Sequence, residues 1–130
     1  MSFQCTLVTP EQQLIDETVT QAILPAHDGQ VGILTDRAPL LVRLGTGTLR
    51  LDLAGGQRRF FFVDGGFAQM KDNRLSILST DAAPANSLTA ESARAEYAEA
   101  EARRPTDAKT AKDRQHQMAR ARAKQAIAGK

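Results

Sequence analysis

Residues 25–53 read PAHDGQVGILTDRAPLLVRLGTGTLRLDL, and the pattern of this stretch decides the fold. Pro25-Ala26-His27-Asp28-Gly29 has the composition of a turn. Val31 to Leu34 follows as a short apolar run that reads as buried. Thr35-Asp36-Arg37-Ala38-Pro39 is a loop, because the proline ring disfavours helical backbone at Ala38. Leu40 to Leu44 returns to the core, and Gly45-Thr46-Gly47 turns the chain. Thr48 to Leu53 then alternates strictly, with Leu49, Leu51 and Leu53 on one side and Thr48, Arg50 and Asp52 on the other, as in a half-buried strand.

The same two-residue period extends outward. Phe3, Cys5 and Leu7 alternate with Gln4, Thr6 and Val8 before Pro10 breaks the strand. Leu14-Ile15 begins a short second strand, and Thr18 to Leu24, rich in β-branched residues, forms a third. Downstream, Ala54-Gly55-Gly56 connects a hairpin, and Arg58 to Val63 is the most aromatic run and reads as a central strand. Asp64-Gly65-Gly66 marks a tight turn or bulge. Phe67 to Met70, Asp72-Asn73 and Arg74 to Ser79 make a last hairpin, with Leu75, Ile77 and Ser79 on one face. The expectation is about eight to ten short strands in an all-β sandwich over residues 1–84.

Composition changes at Asp81-Ala82-Ala83-Pro84-Ala85-Asn86-Ser87. From Leu88 onward there are 13 Ala and no Val, Phe or Gly before Gly129, which favours helix. Ser87 or Thr89 caps a first helix, Ala90, Ala93, Tyr97 and Ala100 form its narrow apolar stripe, and Pro105 ends it at Arg104. Thr106 or Asp107 caps a second, about Ala108 to Ala128. Residues 85–130 therefore read as an antiparallel helical hairpin, so the fold is α+β by segment. Its only large apolar side chains are Leu88, Tyr97, Met118 and Ile127. Each contributes ~1.5–3 kcal/mol when buried, against roughly 1–2 kcal/mol of backbone entropy per ordered residue. The hairpin is expected to need the sandwich or a partner to hold its position.

All five Phe and every Val lie in the first 67 residues, so the core is mainly N-terminal. Residues 1–87 carry 7 basic and 9 acidic side chains, and residues 88–130 carry 10 basic and 6 acidic. A basic tail on a mildly acidic body suits an acidic partner surface. A single cysteine, Cys5, forms no intramolecular disulfide and fits a reducing compartment. The N-terminal segment lacks the basic and apolar regions of a secretory signal, and no apolar run approaches the ~20 residues that span a bilayer.

Catalytic constellations are missing from the pattern. His27-Asp28 and the distant His116 do not assemble a zinc-type ligand set with one thiol and scattered carboxylates. Cys5 sits on a strand face as a small core residue. GTGT and DGG are glycine turns and not phosphate loops, and no GxSxG presents a nucleophile. Arg114, Arg120, Arg122 and Lys124 crowd the second helix and suit docking onto acidic side chains. A nucleic-acid role for residues 103–124 is the weaker reading, since no aromatic stacking residues accompany the charge.

Three stretches carry a family resemblance. Phe3–Leu14 resembles an opening strand followed by Pro/Ala-Glu and a polar turn. Gly29-Gln30-Val31-Gly32-Ile33-Leu34, Ala38-Pro39-Leu40-Leu41, Leu44 and Gly47 resemble G-E-x-G-[IV]-[LY]-P-G-H-A-P-L-L…L…G. Val63-Asp64-Gly65-Gly66-Phe67 and Asn73-Arg74-Leu75-Ser76-Ile77-Leu78 resemble [VL]-x-G-G-F-x-[EQ]-V…N-x-V-[TS]-[VI]-L. Together they resemble the epsilon subunits of F-type ATP synthase, called delta in mitochondria. Gln30 replaces the usual acidic residue, and Thr35-Asp36-Arg37 replaces Pro-Gly-His.

The resemblance implies a non-catalytic rotor subunit that clamps the gamma subunit onto the proteolipid c-ring and couples ion flow to ATP synthesis. It implies ring contacts near Gln30, Thr35, Asp36 and Arg37. The hairpin would restrain ATP hydrolysis by meeting alpha and beta, with Arg114, Arg120, Arg122 and Lys124 facing an acidic surface of the catalytic head. Of the hairpin ATP motif [IL]-D-x-x-R-A, only Arg94 and Ala95 match, so Arg94 is the one candidate ATP contact and no cofactor is expected. The place implied is peripheral, on the cytoplasmic face of a bacterial inner membrane, with the thylakoid as the lesser reading. The competing function is a free-standing β-sandwich ligand-binding protein with a helical interaction tail.

Overall fold

The alternating segments form seven strands in a computed structural model that describes residues 1–130: β1 (Phe3–Val8), β2 (Gln13–Ala26), β3 (Gly29–Leu34), β4 (Leu40–Arg43), β5 (Thr46–Leu53), β6 (Arg58–Lys71) and β7 (Arg74–Pro84). The expected eight to ten short strands are fewer and longer because β2 and β6 each run 14 residues. Both cross an irregularity that resembles a break in the sequence. In β2 the register shifts between Val19 and Gln21, so Val19 is buried and then Ala22 and Leu24. An extra residue reverses which face the following side chains occupy. In β6 Gly65 and Gly66 take positive φ, yet the register against β7 is the same on both sides of them, Asp64↔Asp81 and Gly66↔Ser79.

The length of β6 lets one strand serve two neighbours. The first half of β6 pairs with β5 and its second half with β4, while β7 follows it along its length. β1 pairs with β2 antiparallel and with β7 in parallel, so the order β1-β7-β6-β5-β2 returns to its start. The enclosed core holds 18 buried residues, including Phe3, Cys5, Leu7, Leu49, Leu51, Phe61 and Val63. Val31 to Leu34 is not a buried run: Ile33 is fully buried but Leu34 is 57% exposed. β3 closes one end of the sheet, and its period-two pleat leaves alternate side chains outside. Likewise Leu41 projects outward between half-buried Leu40 and buried Val42. The Asp81–Pro84 part of the expected boundary is strand, since it pairs with Phe61–Asp64. Ladder pairing overrides the low strand propensity of Ala and Pro there.

A 3-10 turn (Ala85–Ser87) leads to α1 (Ala90–Ala102) and α2 (Ala108–Ile127). Thr89 caps α1 by accepting from the Ser92 amide at 3.1 Å. Asp107 caps α2 in a reciprocal box with Thr110, which holds its carboxyl below the usual range mainly through the Thr110 backbone amide. The helices run antiparallel over buried Ala93, Ala100 and Ala121, small side chains that permit close approach. Of the expected anchors only Ile127 is buried, whereas Leu88, Tyr97 and Met118 are half-buried. α2 lies against β5 and β6. Ile127 joins Phe62 and Ala85 in a second small core flanked by Phe60, Leu88 and Ala123. Phe61 and Phe62 thus enter different cores from adjacent positions of one strand.

Candidate functional site

The Asp64-Gly65-Gly66 segment of β6 builds the attachment of the hairpin. Gly65 and Gly66 have φ of 71° and 105°. A Cβ at Gly66 would lie 2.0 Å from the Leu78 carbonyl oxygen, so no other residue fits. The preceding residue, Asp64, is 7% exposed and lies under α2. Its carboxylate accepts from the Thr46 hydroxyl at 2.6 Å, meets His116 Nε2 at 2.9 Å and pairs with the Arg120 guanidinium. Arg120 also donates to Asp81 at 2.6 Å. Asp64 and Asp81 are directly opposed across β6 and β7, an arrangement that repels unless a cation lies between.

The charges respond accordingly. Burial pushes the Asp64 carboxyl up, but hydrogen bonds from Thr46, His116 and Arg120 outweigh it and leave Asp64 below the usual carboxylate range. Burial also disfavours the charged Arg120, and Asp81 and Asp64 more than offset this. Arg120 and Lys124 both stand over the Phe62 ring, at 5.3 and 5.1 Å from its centroid, and add cation–π attraction to the apolar packing.

Each basic residue expected to face a partner has an intramolecular contact here. Arg114 donates to the Glu101 carbonyl at 2.8 Å, Arg122 to the Tyr97 hydroxyl at 3.2 Å, and Lys124 pairs with Glu96 at 3.1 Å. Arg94 is exposed on α1. The expected ring-side residues do not form one surface. Gln30 pairs with Pro25 beside the β2–β3 turn, whereas Thr35, Asp36 and Arg37 follow the other end of β3. Five steps along the strand separate Gln30 from Thr35, about 16 Å at ~3.3 Å per residue. Asp36 instead meets the β6–β7 turn, where Asn73 accepts from its amide at 2.8 Å and donates to its carboxylate at 3.1 Å.

Two features escaped the linear reading. His27 and His116, which it treated as unrelated, line one polar cleft of about 350 Å³ with Arg43, Thr46, Asp64 and Thr80. No group of three or more His, Cys, Asp or Glu is arranged to hold a metal ion. Burial pushes the Cys5 thiol up to about 12, as suits a core position. The second feature is an exposed row across four strands. Val8 partners Leu78, Leu78 partners Phe67, and Phe67 partners Arg43. Phe67 and Leu78 are 54% and 59% exposed, and Leu41 on the same face is 68% exposed. Its signal was present, because both large side chains are out of phase with buried Ala68 and Ile77. The Asp64 hub also had a sign: a carboxylate immediately after the apolar run RRFFFV.

A sandwich with an exposed apolar row and a clasped helical arm defines a subunit that works by docking. A family model for "ATP synthase, Delta/Epsilon chain, beta-sandwich domain" matches residues 2–85. The ATP synthase epsilon chain of Rhodopirellula baltica is 42% identical over 100 residues, covering 77% of each chain. The chloroplastic epsilon chain of Emiliania huxleyi is 39% identical over 95 residues, covering 73% of this chain and 72% of that one. A chain in the Euglena gracilis mitochondrial ATP synthase OSCP/F1/c-ring structure shares the fold with a TM-score of 0.85 at 21% identity, covering 96% of this chain and 80% of that one. A chain in the Tetrahymena thermophila mitochondrial central stalk/c-ring structure gives 0.67 at 16% identity, covering 93% and 92%. The chain belongs to the ATP synthase delta/epsilon family. It is an epsilon-type, non-catalytic subunit of the central stalk.

Proposed function

We propose that this chain fastens the gamma subunit to the proteolipid c-ring, so that ion-driven rotation reaches the catalytic head. The observation that carries the reading is the face of exposed Leu41, Phe67 and Leu78, continued by half-buried Val8. Contiguous large apolar side chains on the solvent side of a sheet mark a protein-docking surface. A groove of about 430 Å³ lined by Val8, Thr9, Pro10, Leu78, Ser79 and Thr80 continues it. This face is assigned to gamma. The ring contact is assigned to Thr35, Asp36 and Arg37, stiffened by Asn73, with Gln30 outside it at the far end of β3. Residues 1–84 act as the fixed body and 85–130 as a movable arm that restrains hydrolysis when it meets alpha and beta. ATP binding at Arg94 is not part of the reading. No helix is long and apolar enough to cross a membrane, and the assigned place is peripheral, on the cytoplasmic face of a bacterial inner membrane.

The test is co-purification with alpha, beta and gamma. The wild-type chain is expected in a stable ratio, and the Phe67→Lys/Leu78→Glu variant is expected to fold yet be lost from the complex. Recovery of that variant at the wild-type ratio would remove the gamma assignment. Deleting residues 88–130 is expected to speed ATP hydrolysis with assembly intact, and an unchanged rate would remove the restraint from the reading.

A further inference from the structure

The two attachments of the hairpin differ in kind. Near its C-terminus α2 is held by apolar packing of Ile127 and Ala123 around Phe62. One to two turns before Ala123 it is held by polar contacts: His116 hydrogen-bonds to Asp64, and Arg120 pairs with Asp64 and Asp81. His116, Arg120 and Lys124 recur every four residues and so form one stripe of the helix. Every member of that stripe is matched by a carboxylate of the same chain, since Lys124 takes Glu96. The Asp64–Asp81 pair has no structural use by itself, because opposed carboxylates weaken a sheet. It becomes favourable only when a guanidinium sits between them.

We propose that Asp64 and Asp81 are an internal counterpart of an acidic protein surface, and that Arg120 exchanges between the two. The sandwich carboxylates then compete with the partner for the hairpin and set the threshold at which the arm leaves. This rests on the reading of residues 85–130 as a movable arm. The partner class follows from the geometry that the stripe already accepts: closely spaced carboxylates approached by a guanidinium and, one turn on, an ammonium. Competition has a diagnostic consequence. Removing the internal carboxylates frees Arg120 for the partner, whereas removing Arg120 abolishes both contacts. The two changes release the arm alike but move partner binding in opposite directions.

The experiment uses the full chain, first free and then reconstituted with alpha, beta and gamma. Hydrogen exchange of residues 112–120 is expected to rise about tenfold in both Asp64→Asn/Asp81→Asn and Arg120→Gln, with the strand amides unchanged as the check on folding. Oligoglutamate, with oligoglutamine as control, is the probe for the acidic surface. The double variant is expected to bind it about tenfold more tightly than wild type, and Arg120→Gln more weakly than wild type. Unchanged exchange, or binding by the double variant no tighter than wild type, overturns the proposal. Should Asp64→Asn fail to fold, Asp81→Asn alone reads the same direction, because the Asp81 side chain is 49% exposed. In the reconstituted complex the double variant is expected to slow ATP hydrolysis and Arg120→Gln to speed it. If the peptide results hold while both rates stay at wild type, competition stands and the restraint of hydrolysis by the hairpin fails.

Discussion

Asp36 and Asn73 clasp each other through both main chain and side chain although 37 positions separate them. Each sits in left-handed backbone, with φ of 63° and 57°. Asn73 closes the two-residue β6–β7 turn with Asp72, where both central residues need positive φ, and Asn and Asp adopt it at low cost. The loop after β3 is therefore pinned to the tip of another hairpin.

Replacing Asn73 by Gly keeps the turn and removes the clasp. Hydrogen exchange at residues 35–38 is expected to quicken, with about 1 kcal/mol or less of global stability lost because both partners are exposed. Unchanged exchange at Asp36 would show that the clasp does not order the loop.

Phe61 and Phe62 separate the two cores. Phe61→Ala is expected to cost about 3–5 kcal/mol in denaturant unfolding, as a large cavity in the main core. Phe62→Ala is expected to leave strand protection in place and to lose protection across α2, since it empties the core shared with Ile127. Equal loss of strand and helix protection in both variants would mean that the hairpin and sandwich unfold as one unit.

In β6, Gly66→Ala is expected to destabilise by about 3 kcal/mol or more, because backbone and not a movable side chain occupies the space. β6 and β7 would have to part there, and Asp64 would leave its place under α2. A melting temperature within a few degrees of wild type would contradict this geometry.

Acid should release the arm. Burial raises the Asp64 pKa, but hydrogen bonds from Thr46 and, with the arm docked, from His116 and Arg120 hold it below its ordinary value. The docked state binds fewer protons, so its advantage is full above the ordinary value and fades as pH falls through the docked one. Tyr97 is the single tyrosine of a chain without tryptophan, and Arg122 stands 5.5 Å over its ring, so its fluorescence reports the hairpin. A transition below about pH 4 that is lost in Asp64→Asn is expected. A transition of equal size in Asp64→Asn would place the proton elsewhere.

Much of this molecule is written locally. The alternation at Phe3–Leu7 and Leu49–Leu53 depends only on the pleat of a strand, and its inward side chains are buried except Leu53, which is half-buried. The Asp107 cap and the alanine run act within one turn of helix, and α2 begins where they place it. By contrast, the breaks read at Glu17 and at Asp64-Gly65-Gly66 lie inside continuous strands, where Glu17 pairs with Cys5 and Asp64 with Asp81. Glycines at positive φ serve a turn and a strand alike, and only the partner strand distinguishes them.

The docking surfaces divide in the same way. The segment 25–53 carried the family pattern, yet its candidate contacts lie at opposite ends of β3. The basic stripe of α2 was legible as charge, and its occupant was not. Asp64 and Arg120 are 56 positions apart, and neither has a local reason to seek the other. Hydrophobic period and capping act over a few residues and are printed in the chain. The pairing of Asp64, Asp81 and Arg120 arises only when β6 lies beside β7 and α2 folds back across them. Burial then makes an unpaired carboxylate too costly, and the opposed charges select the guanidinium that settles between them.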